Sequence, residues 1–488
     1  MTVECNLLDE LDKRGHDLTD TGNALRMVDS FGADLAFVPE WGWMVWDGKR
    51  WQPNELLARD LATEAARMIY AEAANVVDKE YQKAVTSHGH KSQSANAIKS
   101  MLWLAQPKLV ARVDQFDRET MLLPVLNGTL DLRTRRLHKH RREHYSTRLA
   151  PILYEESATC PEWDKFLARV IPDTEVREFI KRLAGYSLSG STTAQILVFL
   201  YGSGRNGKSV FVEILAALLG DYHTATRIET LSNIKGGIPN DVAALAGSRL
   251  VTVSETPEGS RLNESLVKDL TGGDIITARF LRAEFFQFTP QFKIWIRGNH
   301  KPRIHGTDDG IWRRMMLIPF TVQIPDAEVD PDLPERLRAE LPGILNWALD
   351  GCLQWQSEGL KPPRSVLDAV SEYRSEMDLL GQFVNECCIV ATQAKASASA
   401  LYAQYRQWCD ESGTHPVTKT RFGLALGERG FEKRTPKTVI WHGIGLLSDS
   451  SDSCDSSTSS RYTRAHDSRN AEKGSQLSDY RNDWEGDL

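Results

Sequence analysis

The sequence predicts an α/β fold at its centre, on three observations. An apolar run of strand length, Ile196-Leu197-Val198-Phe199-Leu200-Tyr201, feeds a glycine loop that opens a helix over 210–219. A second apolar run, Arg249-Leu250-Val251-Thr252-Val253-Ser254-Glu255, ends on a carboxylate. Two later runs follow: Phe292-Lys293-Ile294-Trp295-Ile296-Arg297, ending at Gly298-Asn299-His300, and Met315 to Phe320, preceded by Arg313 and Arg314. Short apolar runs separated by helical stretches are the pattern of an α/β segment.

Composition bounds what surrounds that centre. The chain has 488 residues, and about 150 residues per domain gives roughly three folded units. Its formal charge is 59 minus 66, or -7, with 41% apolar and 26% charged residues. That excludes a polycation and a wholly disordered chain, so any nucleic-acid contact must rest on local basic charge. Seven cysteines, with no Cys-x-x-Cys spacing, favour a reducing compartment. The first residues lack the basic start and apolar stretch of a secretory signal, and no run reaches the roughly 18 apolar residues of a membrane span. A cytoplasmic protein without membrane contact is expected.

Six segments are expected. Residues 1–113 read as a mixed or mostly helical domain, with Trp43-Met44-Val45-Trp46, Asp47-Gly48 and Trp51 forming a hairpin on a tight two-residue turn. Its helices carry Leu57, Leu61 and Ala65 at four-residue spacing and are interrupted by the polar stretch Ser87 to Ser94. Residues 114–189 hold an Asn127-Gly128 turn, a strand over 129–132 and a basic run of Arg133, Arg135, Arg136, Lys139, Arg141 and Arg142. That run reads as solvated surface in preference to a nucleic-acid track, because His138, His140 and His144 neither interleave with aromatics nor show a metal-site pattern. A helical pair over 161–188, broken near Pro172-Asp173, ends in a loop punctuated by Gly185 and Gly190.

Residues 190–330 are the α/β segment. Residues 331–394 are helical, with Leu341, Leu345 and Leu349 on one face. Residues 395–446 read as helix, turn, helix and short hairpin, with Thr418 capping a helix that Gly430 stops. The tail, 447–488, is expected to be disordered: its last 41 residues hold 11 serines and 9 acids against 5 basic residues and 8 apolar ones.

The loop Gly202-Ser203-Gly204-Arg205-Asn206-Gly207-Lys208-Ser209 completes the pattern G-x-x-x-x-G-K-S/T in the strand and helix setting it requires. Glycines let backbone amides turn inward around phosphates, and the helix amino terminus adds partial positive charge. Lys208 is expected to reach the β and γ phosphates of ATP, and the Ser209 hydroxyl to ligate Mg2+. Glu255 is the expected general base or water-polarising residue and can also serve the magnesium through its water shell. Asn299 offers donor and acceptor without charge, which suits positioning of the attacking water. Arg313 or Arg314, donated across a subunit interface, can stabilise transition-state charge.

These pieces, with the strings YGSGRNGKS, RLVTVSETPEG, LTGGDIITAR, IRGNHKP and DDGIWRRMMLIPF, resemble the superfamily 3 helicases of phage and plasmid primase-helicase proteins, related to poxvirus and satellite-phage replication helicases. The resemblance covers roughly 20–445. It implies an AAA+-like P-loop motor in a ring, usually hexameric, with nucleotide between subunits and Arg314 slightly preferred over Arg313 as the trans arginine. It places a DNA-gripping hairpin over 271–292, with Arg279 and Arg282 as DNA contacts and Phe280, Phe285 and Phe286 beside them, at least half of the phenylalanines being core.

It implies a winged-helix domain at the carboxy-terminal end, where Lys419, Arg421, Lys433 and Arg434 belong to a local +4 over 415–437 suited to DNA. The implied function is an ATP-dependent replicative helicase of a phage, prophage or plasmid in a bacterial host cytoplasm. It would act on single-stranded or forked DNA beside a separate primase or polymerase. No pair of catalytic acids with a partnering histidine precedes the motor, so primer synthesis is not expected. The alternatives are a ring ATPase that remodels or packages DNA, and a nucleotide-stabilised origin-binding scaffold.

Overall fold

The computed structural model describes residues 16–232, 240–254, 259–279, 285–304, 309–434 and 439–447. They form two compact units, one up to Asp378 and one from Leu379.

The first unit begins with α1 (Asp20–Phe31), whose first turn is capped by Thr19 Oγ1 accepting from Gly22 N at 3.0 Å. An antiparallel sheet follows: β1 (Leu35–Val38), β2 (Gly42–Trp46) and β3 (Trp51–Pro53). The β2–β3 connection is not the expected two-residue turn. It runs over Asp47–Arg50, because Asp47 Oδ1 accepts from Lys49 N at 2.7 Å and Arg50 N at 2.8 Å and closes a wider turn.

Three helices follow: α2 (Glu55–Ala74) and α4 (Ala95–Ala105) share an apolar cluster with this sheet, and α3 (Lys79–Ser92) packs on α2 through Val85. Within the polar stretch at 87–94 the helices break only at Gln93-Ser94: α3 continues to Ser92 and α4 starts at Ala95. Its polar groups are satisfied inside the bundle, with Asn23 Nδ2 donating to Ser92 Oγ at 2.9 Å and Asn23 Oδ1 lying 2.8 Å from His88 Nε2.

A second antiparallel sheet comprises β4 (Leu122–Val125), β5 (Gly128–Asp131) and β6 (Arg136–His138), the last fully exposed along its length. The helical pair is α5 (Pro161–Val170) and α6 (Thr174–Leu188), with Asp173 capping α6. The central region then runs β7 (Leu197–Tyr201), α7 (Lys208–Leu219), β8 (His223–Arg227), α8 (Asn240–Ala243), β9 (Leu250–Ser254), α9 (Glu264–Gly272), β10 (Ile276–Ala278), β11 (Phe286–Phe288), β12 (Lys293–Gly298), α10 (Asp309–Trp312) and β13 (Met315–Pro319). Helices α11 (Leu333–Ala339), α12 (Leu341–Glu358) and α13 (Arg364–Met377) complete the unit.

Five of these strands form a parallel sheet in the order β13-β7-β12-β9-β8. A parallel sheet is covered on both faces, which is why its strands read as nearly continuous apolar runs. Alternate residues go to opposite cores: Val198, Leu200 and Trp295 join one apolar cluster, while Leu197, Phe199, Ile294 and Ile296 join the other. The first cluster also takes in Leu123, Leu130, Trp163, Phe179 and Leu345. The expected divisions at 189/190 and 330/331 therefore fall inside one shared core.

Gly185 is not in a loop but inside α6. A Cβ there would lie 2.1 Å from Cys352 N, and one on Gly351 would lie 2.0 Å from Lys181 O, so glycines bring the α6 and α12 backbones into contact.

The second unit contains α14 (Leu379–Cys387), β14 (Cys388–Ser397), α15 (Ala398–Glu411), α16 (Lys419–Glu428), β15 (Glu432–Arg434) and β16 (Ile440–Leu446), with sheet order β14-β16-β15. Its core is aromatic: Phe383, Tyr405, Trp408, Phe422 and Trp441. Thr418 Oγ1 accepts from Arg421 N at 3.4 Å, and Gly430 takes a φ of 85° just past α16. Strand β14 begins within the segment expected to be helical, because Ile389 and Val390 suit a ladder with β16. The tail at 448–488 lies outside the described residues. Among the described residues, no helix is long and apolar enough to cross a membrane.

Candidate active site

The site lies at the carboxyl ends of the parallel strands, beside β7, where the strand order changes direction and ligands bind in open α/β sheets. The loop after β7 has a backbone that needs glycine. Gly204 and Gly207 take φ of 99° and 83°, and Arg205 also lies at positive φ, 47°. A Cβ on Gly202 would fall 2.2 Å from Phe320 O and 2.3 Å from Asn206 Nδ2, so the loop is pressed against the chain leaving β13.

Lys208 opens α7 and is only 6% exposed. Its Nζ donates to Gly202 O at 2.6 Å, Asn206 Oδ1 at 3.0 Å and Asn299 Oδ1 at 3.3 Å. Burial without a carboxylate partner pulls its ammonium down to about 8. Asn206 is itself buried and donates from Nδ2 to Phe320 O at 3.1 Å. Ser203 and Ser209 are exposed, Ser209 on the first turn of α7. A cradle of glycine backbone around a partly desolvated lysine, with an exposed hydroxyl at the helix start, fits a phosphate group and its divalent cation.

Parallel register brings the other elements alongside. Gly298 pairs with Tyr201, and Arg297 pairs with both Leu200 and Ser254. The residues after β7, β12 and β9 thus leave the sheet at one level, and Asn299 reaches Lys208. Glu255 follows Ser254 directly but lies outside the described residues. Among the described residues there is no cluster of three or more His, Cys, Asp or Glu suited to a metal ion.

The two arginines have different surroundings. Arg314 is 6% exposed; its Nε donates to Thr271 Oγ1 at 3.1 Å and its Nη1 to Gly310 O at 2.6 Å, tying α9 to α10 within the same subunit. Arg313 is exposed, and its Nη2 donates to Gln195 Oε1 at 3.3 Å. Arg314, the slightly preferred candidate for reaching a neighbour, is thus held by its own fold, while Arg313 stands exposed.

Strands β10 and β11 form the antiparallel hairpin expected within 271–292, with Ala278 opposite Phe286. Arg279 is exposed and stacks over the Phe285 ring at 4.8 Å. Phe285 is 63% exposed, Phe286 and Phe288 are half-buried, and Phe292 is buried. Phe280 and Arg282 lie outside the described residues. In the second unit Lys419, Arg421, Lys433 and Arg434 are exposed, and Arg434 Nη2 meets Glu432 Oε2 at 3.0 Å.

Several participants were invisible to sequence reasoning. Arg205 pairs with Asp326, and Ile324 N donates to Arg205 O at 2.7 Å, which holds the loop from the far side. Lys301, just past Asn299, pairs with Glu376 at 2.9 Å and lies over the Tyr201 and Tyr373 rings. These partners are tens of residues away; the only local signal was the basic residue following the strand end.

The chain matches three family models: D5 N-terminal-like over residues 24–172, a family of unknown function over 200–314, and poxvirus D5 protein-like over 375–444. A putative helicase, L207/L206, of Acanthamoeba polyphaga mimivirus is 31% identical over 276 residues, 52% of this chain and 29% of that protein. Putative helicase 022R of Frog virus 3 is 29% identical, over 54% of this chain and 29% of its own length. Putative primase C962R of African swine fever virus is 26% identical, over 42% and 22%. The chain therefore spans under a third of the length of these relatives. Among solved structures, the apo NrS-1 C-terminal region is similar at 12% identity and a TM-score of 0.38, over 61% of this chain and 78% of that one.

Proposed function

Because the chain belongs to the primase-helicase family of the poxvirus D5 type, we propose that it is a replicative DNA helicase that hydrolyses ATP between the subunits of a ring, a hexamer, and moves along single-stranded DNA. The replicon it serves is that of a DNA virus or mobile element, a phage, prophage or plasmid in a bacterial cytoplasm included, with a separate primase or polymerase as partner. The region after β6 is then a P-loop motor of the AAA+-like kind, and the second unit a winged-helix DNA contact.

The observation that carries this reading is the position of Lys208. Its ammonium lies at the end of β7 between the glycine loop and Asn299, the point at which a terminal phosphate would meet both. On binding, Lys208 exchanges Gly202 O and Asn206 Oδ1 for phosphate oxygens, a stronger charge-assisted bond. Asn299 aligns the attacking water, and Glu255 accepts its proton. Ser209 and Glu255 would hold Mg2+, which neutralises phosphate charge when bound. Arg313 of one subunit stabilises charge on the nucleotide of the next. Loss of the γ-phosphate releases Lys208 and Asn299 and shifts the β10–β11 hairpin with its bound strand. Separating one base-pair step costs about 1.4 kcal/mol in stacking, a modest load for such a stroke.

The test is hydrolysis of Mg2+-ATP and strand separation on a forked duplex, with Lys208→Ala as control. Hydrolysis together with unwinding supports the helicase. Hydrolysis without unwinding favours a remodelling or packaging ring, and assembly without hydrolysis favours a scaffold.

A further inference from the structure

We propose that the exposed edge of β6, with the cleft beside Trp46, is a second binding track for single-stranded nucleic acid. It is remote in sequence from the β10–β11 hairpin. Nothing in the motor reading requires it, and it rests on that reading only in taking nucleic acid as the ligand.

Residues 133–142 carry six arginines or lysines and no acid, in a chain of net charge -7. Three of the six are neutralised by neighbours: Arg133 by Asp131 at 3.9 Å, Arg135 by Asp350 and Arg142 by Asp34. Arg136, Lys139 and Arg141 are exposed and have no ion pair among the described residues. Basic residues in excess of the local acids, Arg136 on a strand at the edge of its sheet and Lys139 and Arg141 in the chain that leaves it, match the charged, extended backbone of a single strand.

The cleft supplies the second half of the recognition. Its volume is roughly 590 Å3, and it is lined by Trp46, His140, Arg141, Arg142 and Glu143. Trp46 is half-buried, backed by Trp51 at 6.0 Å between ring centroids, so its indole is a fixed platform. His140 Nε2 is removed from solvent and has no hydrogen-bond partner. Burial lowers the His140 pKa, so a neutral ring walls the cleft, its Nδ1 lying 3.3 Å from Thr129 Oγ1. The Glu143 carboxylate repels phosphate, which assigns the cleft to the base and the Arg136, Lys139 and Arg141 row to the backbone. The aromatic element that sequence spacing did not show thus comes from β2, some ninety residues earlier.

The experiment uses the full chain without nucleotide. Binding of labelled oligo-dT is followed by fluorescence anisotropy over a salt series, for wild type and for the triple variant Arg136→Glu, Lys139→Glu, Arg141→Glu, whose fold is checked by its melting curve. Losing three phosphate contacts should weaken binding by about tenfold or more and flatten the log–log salt slope by about 2. Photo-cross-linking to an iododeoxyuridine-substituted strand should place an adduct on Trp46.

An unchanged affinity and slope, no binding by wild type, or adducts confined to Phe285 and the second unit would each overturn the track. Equal binding of duplex through the same three residues would overturn its single-strand assignment. ATP hydrolysis without DNA, measured in parallel, should be the same in both proteins. Its absence from wild type would count against the motor alone.

Discussion

Lys208 Nζ lies 3.3 Å from Asn299 Oδ1, joining the first residue of α7 to the residue that follows β12. The two sit 91 residues apart, and the parallel pairing of β7 with β12 brings them together. Under the proposed function, in which Lys208 holds phosphate and Asn299 orients water, this bond would let occupancy of the first set the position of the second.

Replacing Asn299 by Ala should therefore lower ATP turnover by about 10²- to 10³-fold, the usual cost of one preorganised polar group. Nucleotide affinity, read with a fluorescent analogue, should change only a few-fold, since Gly202, Asn206 and the loop amides keep their places. A loss of affinity as large as the loss of turnover would contradict a water-positioning role.

Arg313→Ala should abolish turnover by roughly 10³-fold or more while leaving the melting temperature unchanged. Mixing it with Lys208→Ala subunits should restore part of the activity, because each mutant supplies what its neighbour lacks. Arg314→Ala should instead destabilise the subunit by about 2–4 kcal/mol through the lost bonds to Thr271 and Gly310. Complementation by Arg314→Ala but not by Arg313→Ala would reverse the assignment.

Lys208 also makes stability depend on pH. The unfolded chain keeps this proton to about pH 10.5 and the folded chain loses it near 8, so between those values the unfolded state binds more protons and stability rises with pH. Lys208→Met removes the charge that burial penalises. It should melt higher than wild type at pH 7, with the difference shrinking between pH 8 and 10.5. A difference that stays constant over this window would show that Lys208 is not desolvated.

At Gly185 the α6 and α12 backbones leave no room for a methyl group. Gly185→Ala should cost about 3 kcal/mol of stability, as overpacking does, measured by denaturant or thermal unfolding of the first unit. A change under about 0.5 kcal/mol, the usual range for an innocuous site, would mean the contact is looser than the geometry indicates.

The sequence made the loop at 202–209 legible because its chemistry is local: glycines, a lysine and a hydroxyl at fixed spacing need no distant partner to be recognised. The apolar runs of the parallel sheet were legible for a similar reason, since burial on both faces leaves strands with almost no polar residue. Asp47, Gly185 and most of the stretch at 87–94 differ from the local expectation, the helix break in that stretch being confined to Gln93-Ser94. There a side-chain cap, a helix-to-helix contact and a set of buried hydrogen bonds override the local propensity of glycine and polar residues to break structure.

By itself the sequence determined that a glycine-bounded loop carries Lys208 from a strand into a helix, and that β-strand and helix alternate around it. Tertiary structure alone decided that Asn299 meets that lysine, that Arg314 is buried while Arg313 is exposed, and that Trp46 and Arg141 line one cleft. The reason is distance along the chain. Contacts set by sheet register and by burial of one particular guanidinium leave no periodic or spaced trace in the residues that make them.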